Sequence, residues 1–71
     1  MSRINTLVGE IKLLTKLDVF SNTRKREYVE ARALLMKVII PKLKYLSDDD
    51  LLKLSNLVKE MYEEAIITMR E

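Results

Sequence analysis

The stretch SDDDLLKLSNLVKEMYEEAIITMR, residues 47–70, decides the fold. Ser47 can accept a hydrogen bond from a first-turn amide, and Asp48, Asp49 and Asp50 place carboxylates where the helix dipole favours negative charge. Leu51, Leu54, Val58, Met61 and Ala65 then recur at the three-and-four spacing of one helical face, widened by Leu57, Tyr62, Ile66 and Met69. No Gly or Pro interrupts them, so the pattern predicts one helix from 48 to about 70, with a turn at Ser55-Asn56 as the alternative. Such a stripe has two fates: the rest of the chain covers it, or a partner does.

Upstream, Pro41 stops or kinks any helix near Ile40, because its ring removes an amide and crowds the preceding turn. Residues 42–46 then read as a short continuation or an irregular connector. A second helix is expected from about Lys25 to Ile40, with Val29, Ala33, Met36 and Ile40 as its inner stripe. Ser21, Asn22 and Thr23 are good capping residues, which places its start within a residue or two of them. A first helix carries Ile4, Leu7, Val8, Ile11 and Leu14, with Ser2 as its cap and an end near Lys16. Gly9 in its middle suggests close approach of a neighbour. Leu17 to Phe20 is a connector whose Val19 and Phe20 should tuck into the core.

These segments make one all-α domain over residues 1–71, with three helices, or four if the last is broken. A chain with 48% hydrophobic and 34% charged residues can form a core, and one Gly and one Pro are too few for a hairpin-rich sheet. The sequence has no Cys and no His, so thiolate and imidazole chemistry are both absent. No enzyme activity, cofactor or metal site is expected. Three adjacent carboxylates at 48–50 point in different directions and suit the helix dipole better than a cation. No apolar run reaches membrane-spanning length, and Met1-Ser2-Arg3 leads into no signal-peptide core, so a soluble cytoplasmic protein is expected.

Charge is divided along the chain. Residues 1–47 hold ten Lys/Arg and four Asp/Glu, whereas residues 48–71 hold three and seven. A basic front and an acidic back suit a polyanion partner or a head-to-tail contact between copies. The densest basic run is Thr23-Arg24-Lys25-Arg26, where a loop meets a helix. Helix N-terminal amides beside Arg and Lys form a phosphate site, while the plainer reading is a solvated charged corner.

Leu17-Asp18-Val19-Phe20-Ser21-Asn22-Thr23-Arg24-Lys25-Arg26-Glu27-Tyr28-Val29-Glu30-Ala31-Arg32, with Leu35-Met36 following, resembles the C-terminal DNA-binding domain of the bacterial replication initiator DnaA. It is more similar still to small stand-alone phage versions of that domain. The resemblance covers roughly residues 4–40 and is most specific at Thr23 to Arg26 with Val29, Ala31-Arg32 and Met36. It implies a DnaA C-terminal or Trp-repressor-like helical fold, with Thr23, Arg24, Lys25 and Arg26 at phosphate or the minor groove. It also implies that Arg32 braces the loop or reaches a phosphate, with Val29 and Met36 in the core.

The second half departs from that family. Its recognition helix carries an Arg-Asp-His motif, whereas residues 54–65 here lack it and include Glu60, Glu63 and Glu64. Duplex DNA is therefore the expected partner, bound with low sequence specificity. A phage-encoded role in regulation or replication, in the host cytoplasm, fits. The alternative is a structural or adaptor protein that self-associates, or docks on a protein, through Leu54, Val58, Met61, Tyr62 and Ala65.

Overall fold

The structure is a computed structural model that describes residues 3–70, with side chains from residue 6 onward. Ser2 and the side chain of Ile4, given places in the first helix above, lie outside the described residues. Three α-helices carry the fold: α1 (Arg3–Lys16), α2 (Arg26–Leu34) and α3 (Asp48–Arg70). A 3₁₀ segment (Asp18–Asn22) joins α1 to α2. A π turn (Leu35–Ile39) and a second 3₁₀ segment (Ile40–Tyr45) join α2 to α3. Among the described residues there is no strand, and the protein is all-α with a long C-terminal helix.

α3 starts as its sequence dictates. Ser47 Oγ accepts a hydrogen bond from the Asp50 amide at 3.2 Å, and the Leu51 amide donates to the Ser47 carbonyl at 2.9 Å. The helix then runs unbroken past Ser55-Asn56. At 1.5 Å per residue its 23 residues span about 34 Å, nearly the 38 Å long axis of the molecule. α1 and the Asp18–Asn22 segment lie along it. Leu51, Ser55, Val58, Met61 and Ala65 form its buried stripe. Ile11, Phe20, Leu35 and Leu43 meet that stripe from the other elements. Lys59 Nζ and Glu10 Oε2, 3.5 Å apart, tie α3 to α1 at the surface.

The segment around Pro41 is where the backbone departs from plain α geometry. Pro41 has no amide to donate, and its ring would press on the carbonyl four residues back, at Lys37. The chain widens just upstream: Ile40 donates to the Leu35 carbonyl, five residues away, across the π turn. Pro41 then sits in the first turn of the 3₁₀ segment, where no amide is missed. Residues 42–45 are thus a helical continuation, and Leu43 from it is buried.

The inner face of α2 is not the expected one. Val29 and Met36 are exposed, at 37% and 52%, and Ala33 is exposed as well. Tyr28, Ala31, Leu35 and Ile39 pack inward instead, and Ile40 is half-buried against the core as expected. Leu35 enters the central core cluster, and Ile39 from the π turn packs against the same cluster. Helix α2 itself contains no fully buried residue, so it is the least covered helix.

Gly9 also departs from expectation. It is exposed, and a Cβ placed on it would meet no atom within 4 Å. No neighbour requires the missing side chain, so Gly9→Ala only removes backbone freedom from the unfolded chain. The variant should be more stable by about 0.5–1 kcal/mol, seen as a higher denaturant midpoint.

Candidate nucleic-acid interface

The basic turn is built on residues that hold it from behind. Ser21 Oγ donates to the Asp18 carbonyl at 2.7 Å, and Thr23 Oγ1 donates to the Phe20 carbonyl at 3.0 Å. Both hydroxyls therefore stabilise the 3₁₀ segment behind them rather than capping α2. Thr23 is 4% exposed. Its hydroxyl proton is spent inside the protein, so Thr23 fixes the turn and does not reach a phosphate. In contrast to its expected place among the contacting residues, Thr23 is buried beside Phe20 and supports them.

Lys25 occupies the N-cap position of α2 in extended geometry, and no side chain caps the helix. The Tyr28 and Val29 amides both donate to the Lys25 carbonyl at 2.9 Å. The amides ahead of them, at Arg26 and Glu27, are left to an outside acceptor. Arg24, Lys25 and Arg26 are exposed around this uncapped start. Lys25 Nζ lies 5.0 Å from the Tyr28 ring centroid and 3.8 Å from Glu27. Arg26 lies 3.6 Å from Glu30, one turn along. Both ion pairs are well exposed, so each contributes about 0–1 kcal/mol and yields readily to a stronger anion.

Arg32 is directed at the turn from the next helical turns. Its guanidinium donates to the Ser21 carbonyl at 2.7 Å, eleven residues back in sequence. This bond gives Arg32 the bracing position. Together the Arg32 and Thr23 bonds fix both flanks of the loop that ends at Arg24.

The last turns of α3 contribute to the site as well, which no local pattern signals. Asn22, Arg24 and Lys25 line an open depression with Glu64, Thr68 and Met69 from the last turns of α3. Thr68 Oγ1 donates to Glu64 Oε1 at 2.9 Å, while Glu64 Oε2 is buried without a hydrogen-bond partner. A carboxylate beside two cations moderates the pull on phosphate there. Glu64 lies some forty residues away in the chain, and only the docking of the 3₁₀ segment on α3 brings it near.

The residues expected to face a protein partner are placed otherwise. Val58, Met61 and Ala65 are fully buried, and Leu54 and Tyr62 pack against the same core. The apolar stripe of α3 is covered chiefly by α1 and the Asp18–Asn22 segment with Phe20, so these five side chains are spent mainly on the chain's own core. No group of three or more His, Cys, Asp or Glu is placed to hold a metal among the described residues, Asp48 to Asp50 included. No helix of the described residues is long and apolar enough to cross a membrane. Compared with known proteins, the chain matches no family model, no curated protein and no solved structure.

Proposed function

We propose that this is a non-enzymatic, duplex-DNA-binding protein that grips the phosphate backbone with the turn at Arg24, Lys25 and Arg26. The observation that carries the reading is the uncapped start of α2. Free backbone amides and three exposed cations converge there on a loop fixed by Arg32 and Thr23. An anion is the ligand such a start accepts, and a chain of phosphates engages several cations at once. The likeness of the Thr23-to-Met36 run to the replication initiator's basic loop supports DNA over a free anion. It also favours a regulatory or replication role of the phage type, exercised in the cytoplasm. Binding relies on backbone and minor-groove contact, because α3 offers a buried apolar stripe and an acidic outer face in place of a base-reading helix.

Fluorescence anisotropy with a labelled duplex tests this. Wild type should bind at low salt, with a log–log salt slope of about −3 if the three cations each displace one counterion. The variant Arg24→Ala/Lys25→Ala/Arg26→Ala should lose most of that affinity while keeping its helical circular dichroism, since all three side chains are exposed. Absence of wild-type binding at low salt, or equal binding by the variant, overturns the reading.

A further inference from the structure

A cleft lies where α1 meets the 3₁₀ segment Ile40–Tyr45, and the DNA reading makes no use of it. Its lining is Val8 and Lys12 from α1 with Ile40, Pro41, Leu43 and Lys44 from the 3₁₀ segment. Val8 and Lys12 stand one turn apart on the same side of α1, so one wall carries an apolar group and a cation together. On the facing wall Pro41 puts an apolar ring in the first turn of the segment, and Leu43 beyond it is anchored in the core. The space between the walls is about 340 Å³, at the lower end of the roughly 300–1,000 Å³ of small-molecule sites.

The chemistry of the lining defines what fits. Val8, Ile40, Pro41 and Leu43 are hydrocarbon; Lys12 and Lys44 end in ammonium groups, which donate hydrogen bonds and accept none. No Asp or Glu belongs to the lining, and neither lysine takes part in an ion pair among the described residues. Lys44 Nζ lies over the Tyr45 ring, 5.3 Å from its centroid. A complementary ligand is apolar along its body, carries acceptors alone and is negative at one end. We propose that this cleft binds a small amphiphilic carboxylate, an acid with an acyl chain of medium length. The chain lies among the four hydrocarbon side chains and the carboxylate meets Lys12 and Lys44.

A peptide segment and a nucleic-acid strand both suit the cleft less well. A peptide brings amides, which against hydrocarbon walls lose water and gain no partner. A DNA strand is polar along its whole backbone, whereas most of this lining is apolar. The approach to the cleft is open on the α1 side. Gly9, three residues before Lys12, is exposed, and no atom lies within 4 Å of where its Cβ would stand. None of the lining residues belongs to the basic turn, so the proposal stands or falls apart from DNA binding.

Titration with sodium octanoate, followed by amide and methyl chemical shifts, is the test. Saturable shifts are expected at Val8, Ile40 and Leu43, with a dissociation constant on the order of 1 mM for so small a ligand. Octylamine, with the same chain and the opposite charge, should leave those signals in place at the same concentrations. Lys12→Gln/Lys44→Gln, at two exposed positions, should keep the helical circular dichroism and weaken octanoate several-fold, with octan-1-ol binding as in wild type. The absence of saturable shifts at the cleft, an equal response to octanoate and octylamine, or wild-type octanoate affinity in the double variant overturns the proposal. So do octanoate shifts centred on the exposed Leu34 and Val38, or cleft shifts produced by a DNA duplex and not by octanoate.

Discussion

Val58→Asp should leave the protein unfolded. Val58 sits in the middle of the α3 stripe with no exposed surface, between Leu51 and Ala65 and beneath the residues of α1 and the 3₁₀ segments. A carboxylate placed there has no partner, so it must protonate or open the core, at a cost of several kcal/mol by either route. A domain of 71 residues has in total roughly 4–10 kcal/mol of stability, so the substitution consumes most or all of it. Far-ultraviolet circular dichroism and urea titration read the outcome. Ile67→Asp, on the exposed side of the same helix, is the control and should melt within a few degrees of wild type. A cooperative, wild-type-like transition for Val58→Asp would mean that the stripe is not the core.

Phe20→Ala should cost about 3–5 kcal/mol, the usual range for deleting a buried aromatic ring. Phe20 is the largest of the fully buried side chains and anchors the Asp18–Asn22 segment on α3. Its carbonyl is also the acceptor that holds Thr23. Losing the ring therefore loosens the basic turn as well as the core. The urea midpoint should fall sharply, and the amide of Thr23 should exchange faster with solvent than in wild type. Leu13→Ala, exposed on α1, should change stability by no more than about 0.5 kcal/mol. Equal midpoints for the two variants would contradict the packing described above.

The parts of the fold that were legible in sequence are those set by local chemistry. Ser47 and the three Asp after it mark the start of α3, and an unbroken three-and-four spacing carries it to its end. Lys16 closes α1 where the pattern lapses. The inner face of α2 lies about one residue from the expected stripe because residues 33–40 are apolar at almost every position, so several stripes fit equally well. What chooses among them is long-range packing: Leu35 and Leu43 both enter the central core cluster, and Pro41 lies just past the widened turn between them.

The candidate site divides in the same way. The exposed cations could be read from their density and from the helix that follows them. Thr23 could not be placed, because Ser, Asn and Thr in succession offer several caps, and a buried neighbour, Phe20, drew its hydroxyl backward. The fate of the α3 stripe was open as well, since cover depends on three separate segments folding over one helix. Glu64 entered the site purely through tertiary contact.

The placement of α3 has a consequence for how the chain acquires its structure during synthesis. Ile11, Phe20, Leu35 and Leu43 all precede it in sequence, and they share one buried cluster with Leu51, Val58 and Met61 of α3. A ribosome delivers the chain from its N-terminus, so residues 1–46 emerge before the longest apolar stripe of the core exists. α1 and α2, at 14 and 9 residues, are near or below the length at which an isolated helix holds in water. The core is therefore complete only once residues 51–65 are available, and the segment that carries the basic turn then has the helix on which it docks.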